Sequence, residues 1–374
     1  MKPIRLLSCL LMALWALAAF QFSAGAQSSH PMPRRSNIIL IVADGLGAGD
    51  LSCYGQKQFQ TPHLDQLAAE GVRFTHYSAG ALESSAACAD LMLGTGNAPT
   101  NGDITLGADD VTIAQLLKNS GYWTCLIGEW NLGDQSSAGS PWLKGFDEFA
   151  GYFSPEDAAN AYSDFIWRYE PDGTNEAEAD FNGREGVYAN TGGKKSQYIP
   201  DWLMTITMNF TKKHQQFFYN HYQPFFLMLH CSIPGNGNRV VPTDAPFSEE
   251  PWPQAEKNRA ALIARLDGYV GQLLQQLDDI GQRNNTVVFF TSDTVPQKTG
   301  GTDPKFFHEN SAPDSLRVPM IVRCPGKIQA GQVSDVDCSA RDFLPTAAGI
   351  GLVQPPANID GVSLLPVLYG QGSQ

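Results

Sequence analysis

Asp44 closes the apolar run NIILIVA and Asp293 closes the run TVVFFTS, so each carboxylate follows a stretch that reads as a buried strand. If both runs are parallel strands of one sheet, the two acids point into the crevice beyond the strand carboxyl ends, where α/β folds bind ligands. Carboxylates placed there could share a metal ion or frame an anion site. Each could equally cap the turn or helix that follows it, a common place for Asp. Spacing alone leaves both readings open.

The elements that would position these acids recur along the chain. NIILIVA (37–43), YWTCLI (122–127), PFFLMLHCSI (224–233), TVVFFTS (286–292) and VPMIVRC (318–324) are continuously apolar, as strands covered on both faces are. Between them lie helix patterns with readable ends. Thr61 precedes Pro62, with Leu64, Leu67 and Ala68 on one side and Gly71 as the stop. Residues 112–120 repeat the pattern before Gly121. Residues 255–280 carry Leu262, Leu266, Val270, Leu273 and Leu277 on one stripe. The expected fold is α/β, with a mainly parallel central sheet and helices on both faces. Residues 156–195, polar and without period, read as an excursion over the surface near the strand ends.

With 374 residues, 43% hydrophobic and 10% aromatic, the chain can fill one large α/β domain or two smaller ones. Residues 1–26 resemble a secretory signal: Lys2 and Arg5, an apolar run over 6–20, and Ala24-Gly25-Ala26 at the cleavage point. Cys9 begins that run instead of following it, so a lipid anchor is not expected. The organisation expected is a signal over 1–26, a linker over 27–36 and one domain over 37–370, in a secreted or periplasmic protein. No later stretch approaches the ~20 apolar residues of a membrane span.

Losing Lys2 and Arg5 with the signal takes the formal charge from −13 to −15, which argues against nucleic acid as a partner. Six cysteines remain, Cys53, Cys88, Cys125, Cys231, Cys324 and Cys338, and their spacing suits no structural zinc. Six allow about 15 pairings. Cys324 and Cys338 flank a turn-like PGKIQAGQ and are the candidate pair; buried free thiols are the alternative.

Over nearly the whole length beyond the signal, the chain resembles the sulfatase family of the alkaline phosphatase superfamily. The resemblance is carried, in the family's order, by NIILIVADGLGAGDLSCYGQ, TPHLDQLAAEGVRFTHYSA, GYWTCLIGEWNLGDQ, WLKGFDEFAGYF, IARLDGYVGQLLQQLDDIGQRNNTVVFFTSD, LRVPMIVRCPGKIQAG and ANIDGVSLLPVLYGQ. It implies sulfate ester hydrolysis by a formylglycine made from Cys or Ser at the head of C/S-x-P-x-R. It also implies a calcium ion on acidic residues and an Asn, with Lys and His assisting. That chemistry needs an activated nucleophile, positive charge on the sulfuryl oxygens and an acid for the leaving alcohol.

Residue by residue, the resemblance places calcium ligands at Asp44 and Asp293. Gly45 and Thr294 stand at the positions of a second acid and of the Asn. Calcium takes about 6–8 oxygens, so these remnant ligands would hold it weakly. Counting back from Leu91, Met92 and Gly94 puts Ser84 at the formylglycine position; counting forward from Tyr77 gives Glu83. In the first register the Pro and Arg positions hold Ala86 and Cys88, so formylglycine is not expected. A plain Ser84 with no base beside it, or Ser84 and Ser85 simply opening a helix, are the two readings of that stretch. Glu129 and Asn131 replace the Lys and His of the family's GKWHLG. An anion replacing a cation reverses the charge facing sulfate. Pro234-Gly235 stands for a Pro-His, His230 reads as a core residue, and Lys305 and His308 lie upstream of the position of a further Lys.

The expectation is therefore a secreted sulfatase-family protein with sulfate ester hydrolysis lost or impaired, binding a glycan or sulfated ligand in the cleft. Trp130, Tyr152, Tyr162 and Trp167 would offer stacking surface. The alternative is an active sulfuric or phosphoric ester hydrolase using Ser84 with a metal at Asp44 and Asp293. The family's small C-terminal subdomain has no counterpart after DGVSLLPVLYGQ, so a partner protein or self-association would cover the face it leaves.

Overall fold

Asn37 starts the sheet by holding its two neighbours. Its side-chain amide donates to Thr286 Oγ1 (3.2 Å), and its carbonyl oxygen accepts from the Phe225 amide (3.2 Å). Three strands are thus pinned at their amino ends.

The computed structural model describes residues 35–96, 104–171, 182–213, 223–235, 239–296 and 317–371. The signal, most of the linker, Lys305 and His308 lie outside the described residues. The strands are β1 (Asn37–Asp44), β2 (Gly71–Phe74), β3 (Tyr77–Ser78), β4 (Trp123–Glu129), β5 (Glu148–Tyr152) and β6 (Phe165–Tyr169). They continue with β7 (Asn182–Gly186), β8 (Phe225–Pro234), β9 (Thr286–Ser292), β10 (Met320–Arg323), β11 (Gln332–Ser334) and β12 (Cys338–Ser339). Ten form one sheet in the order β11-β2-β10-β9-β1-β8-β4-β5-β6-β7, and β3 pairs with β12. The middle of the sheet, β9-β1-β8-β4-β5, is parallel.

The described α-helices are α1 (Pro62–Ala69), α2 (Ser84–Leu93), α3 (Ile113–Asn119), α4 (Pro155–Ala159), α5 (Ile199–Lys213), α6 (Gln254–Asp279), α7 (Phe343–Gly351) and α8 (Leu365–Leu368). Alternate residues of a strand face opposite ways. Ile38, Leu40 and Val42 pack with α2, α3 and α7, while Ile39, Ile41 and Ala43 pack with α1, α5 and α6. The expected helix-covered α/β fold is therefore observed. No described helix is long and apolar enough to cross a membrane.

Local differences have physical causes. The run 318–324 becomes β10, antiparallel to β9, because continuous burial reports covered faces and not direction. The stretch 156–195, read as an excursion, contributes the antiparallel edge pair β6–β7. Arg184 reaches across that pair over the Phe165 ring (4.1 Å) and the Trp167 ring (5.1 Å), packing that periodicity does not reveal. Thr61 precedes α1 as expected, but the helix is capped from elsewhere: Asp267 of α6 accepts from the amides of His63 (3.2 Å) and Leu64 (2.8 Å). Thr112 and Gln115 form a reciprocal cap on α3. Cys324 and Cys338 are not bonded to each other; all six cysteines are thiols, and Cys324 Sγ points to the Asn284 carbonyl (3.8 Å).

β4 and β8 approach closely at Gly128, whose φ is +108° and where a Cβ would lie 1.8 Å from the His230 carbonyl oxygen. Gly128→Ala should lower stability by roughly 3 kcal/mol or prevent folding. Urea unfolding measures this; a change within about 0.5 kcal/mol would show that the approach is not needed.

Candidate functional site

The parallel strands deliver their carboxyl ends to one place. In the order β9, β1, β8, β4 these ends present Asp293, Asp44, His230 and Glu129, with His230 in register with Val42 and Gly128. The amino end of α2 brings Ser84 against them. The two acids read from strand position and the residues read from resemblance are thus brought together.

Asp293 is the hub, with no exposure to solvent. Its Oδ2 accepts from Ser84 Oγ (2.5 Å) and lies 3.4 Å from His230 Nε2; its Oδ1 accepts from the Gly45 amide (3.3 Å) and Thr294 Oγ1 (3.1 Å). Its own amide donates to the Ala43 carbonyl (3.0 Å), locking it to β1. Gly45 makes its contact from φ +66°, a region that glycine enters without strain. Ser84, and not Glu83, is therefore the side chain in the site. The expectation that no base lies beside Ser84 is corrected: a carboxylate contacts its hydroxyl.

Asn131 donates to Ser84 Oγ (3.1 Å) and to Glu129 Oε2 (3.1 Å) from a left-handed backbone (φ 60°) that Asn tolerates better than most residues. Glu129 Oε1 and Asn131 Oδ1 are buried without a hydrogen-bond partner among the described residues. Asp44 Oδ2 accepts from Arg239 Nη2 (2.6 Å). Arg259, buried, ties the departing loops: it donates to the Gly45 carbonyl (2.9 Å), the Gly235 carbonyl (3.2 Å) and Asp50 (2.7 Å).

His230, read as a core residue, is fully buried but belongs to the site. Its Nδ1 faces the Glu129 carbonyl (3.0 Å) and its Nε2 the Asp293 carboxylate. The carbonyl at Nδ1 and the carboxylate 3.4 Å from Nε2 both favour the doubly protonated ring. Burial opposes that charge, but the negative partners outweigh it and hold His230 well above its ordinary pKa. Cys88, on α2, lies 3.8 Å from Nδ1; burial keeps it a thiol, so the anion beside His230 is Asp293. Asp293 is pushed up by burial and pulled down by His230, Ser84 and the Gly45 amide, and ends below the usual carboxylate range. Burial, and then the charge of Asp293, raise Asp44 to about 6; burial, and then Asp44, raise Glu129 to about 7.

The oxygens that the resemblance assigns to calcium are engaged within the chain: both of Asp293, one of Asp44 on Arg239, and the Thr294 hydroxyl on Asp293. Calcium takes about 6–8 oxygens, and the donors present do not fit it. Cys88, His230 and Asp293 have donor atoms within 4.8 Å of one another, a grouping of three that could hold a metal ion.

Of the four aromatic residues expected to line the cleft, two do not and two are half-buried against neighbouring rings. Trp130 and Tyr152 are buried, the first bonded to the Gly139 carbonyl (2.6 Å) and the second to the Phe165 carbonyl (3.0 Å). Tyr162 packs edge-on to Tyr198 (5.5 Å), and Trp167 packs on Phe153 (5.2 Å). A cavity of about 470 Å³ next to the site is lined by Pro234, Arg239, Asp244, Gln254, Asn258 and Arg259 among others. Sequence reasoning missed Arg239, which lies five residues beyond the end of β8 and carries no local signal. His230 carried one: a lone imidazole near the carboxyl end of an apolar strand.

The sulfatase family model matches residues 36–351, and the chain belongs to that family. It is 30% identical to N-acetylgalactosamine-6-sulfatase of Canis lupus familiaris over 95% of this chain and 70% of that protein. Coverage of the Homo sapiens protein of the same name is 66%, so the chain spans about two thirds of the curated relatives it matches. Among solved structures, Ps i-CgsB in complex with k-i-k-neocarrahexaose is similar with a TM-score of 0.71 and 27% identity, covering 91% of this chain and 77% of that one. A structure in complex with its substrate D-glucosamine-2-N,6-O-disulfate shares the fold, with a TM-score of 0.67, 22% identity, and 90% and 81% coverage.

Because the folded pKa of Glu129 is raised above its ordinary 4.5 to about 7, the folded state binds more protons than the unfolded one within that window. Stability from this group is full at lower pH and is lost as pH rises through about 7; the raised Asp44 and His230 act in the same sense. Asp293, held low, has the opposite sign and loses its contribution only in acid. Glu129→Gln should flatten the fall of Tm between about pH 5 and pH 8. Calorimetric scans across that range measure it, and an unchanged slope contradicts the assignment.

Proposed function

We propose that this sulfatase-family chain is exported, has lost sulfate ester hydrolysis, and binds a glycan at the strand ends. The observation that carries the reading is the buried Glu129 carboxyl, joined through Asn131 to Ser84 Oγ. A sulfuryl group on Ser84 would face Asp293 and Glu129, where the transition state needs cations. In this reading Ser84 stays a serine, since Ala86 and Cys88 stand at the positions of the Pro and Arg of the modification motif. In this reading calcium is not resident, since Arg239 pairs with Asp44 and His230 with Asp293.

Glycan binding draws support from two sources. The similar Ps i-CgsB structure is a complex with k-i-k-neocarrahexaose. The unpartnered Asn131 Oδ1 calls for a donor and the unpartnered Glu129 Oε1 accepts or, when protonated, donates; sugar hydroxyls answer both. Export rests on the signal-like residues 1–26.

A second reading, an ester hydrolase with Ser84 as nucleophile, is favoured by one contact, the 2.5 Å hydrogen bond from Ser84 to Asp293. The depressed pKa of Asp293 makes it a weak base for that step.

Assays of an aryl sulfate and an aryl phosphate with calcium, magnesium, manganese or zinc separate the two. The proposal expects no turnover above buffer and no difference in Ser84→Ala. It also expects calorimetric binding of an unsulfated oligosaccharide, weakened by about tenfold or more in Glu129→Ala through loss of a buried hydrogen bond to the carboxyl. Metal-dependent turnover abolished by Ser84→Ala would overturn it in favour of the hydrolase.

A further inference from the structure

We propose that Arg239 is the resident cation of the strand-end site, its guanidinium standing beside Asp44 where a divalent metal would otherwise be needed, and that Gly235 is the residue that admits it. Arg239 Nη2 bonds Asp44 Oδ2 at 2.6 Å, with the Asp44 side chain 10% and the Arg239 side chain 13% exposed. A Cβ at Gly235 would fall 2.3 Å from Arg239 Nε and 2.4 Å from its Cγ, at a backbone φ of +72°. Any other residue at 235 forces the Arg239 side chain off its present path to Asp44.

The same glycine tethers the loop to its target. Its amide donates to the Asp44 carbonyl (2.8 Å) and its carbonyl accepts from Arg259. The neighbouring carboxylate, Asp293, is satisfied independently by Ser84, His230, Gly45 and Thr294. Neither acid needs an ion from solution. A guanidinium keeps its charge at every physiological pH and cannot be removed by a chelator, so the charge balance at Asp44 is fixed by the chain itself. The inference concerns how Asp44 is neutralised and stands whether or not the site binds a glycan.

Calcium titration calorimetry and thermal unfolding with and without chelator test it on the full chain. The wild type should show no saturable calcium heat and the same Tm in chelator and in millimolar calcium. Arg239→Gln should unfold at a Tm lower by on the order of 4 °C and gain a calcium-dependent rise, because Asp44 is then unpaired. Arg239→Gln combined with Asp44→Asn should lose that rise. Saturable calcium binding to the wild type that Asp44→Asn abolishes would overturn the proposal, as would an Arg239→Gln chain with unchanged Tm and no calcium response. If Arg239→Gln fails to fold, the wild-type titration decides alone, a silent trace supporting the proposal and a saturable one refuting it. A change in ester turnover or glycan affinity bears on the function proposed above and not on this result.

Discussion

A carboxylate sealed from water must be surrounded by donors, and Asp293 sets that requirement for the whole strand-end site. Its partners come from four places: the hydroxyl of Ser84 on α2, the imidazolium of His230 on β8, the amide of Gly45 after β1 and the adjacent Thr294. Left unpaired, such a charge would cost several kcal/mol. The parallel order β9-β1-β8 is what brings His230 and Gly45 to one carboxylate. The close β4–β8 approach at Gly128, the left-handed Gly45 and the Arg259 clamp on both loops serve the same arrangement.

Charge balance follows from that arrangement. Three acids, Asp44, Asp293 and Glu129, share the site with two cations, His230 and Arg239. With Glu129 holding its proton near neutral pH the cluster is close to neutral. Within it Arg239 Nη1, Glu129 Oε1 and Asn131 Oδ1 have no hydrogen-bond partner among the described residues. Membership of the sulfatase family therefore fixes the scaffold and the place of the site, and the identity of these side chains governs what the place can do.

The sequence revealed what depends on local order. Apolar runs marked the central strands, and acids at their ends marked the site; Thr112 and Pro62 marked two helix starts. The resemblance added Ser84 and Thr294, which bond Asp293, and Glu129 and Asn131, which join that site through the Asn131–Ser84 hydrogen bond. What stayed hidden depends on packing through space. His230 looks like any buried residue until β1 and β4 are set on either side of it. Arg239 reaches Asp44 only because Gly235 leaves room, and Asp267 caps a helix about 200 residues away in sequence. Trp130 and Tyr152 looked available for a ligand because aromatic type says nothing about which face of a strand end is covered.

The central claim is that Asp293 is ionised against a doubly protonated His230, and nitrogen NMR of the labelled imidazole reads this directly. The account predicts that both ring nitrogens carry protons at neutral pH and keep them beyond the pH at which a free imidazole loses one, with Asp293→Asn lowering that limit. A neutral ring with a single protonated nitrogen at pH 7, or a limit unmoved by Asp293→Asn, would contradict it.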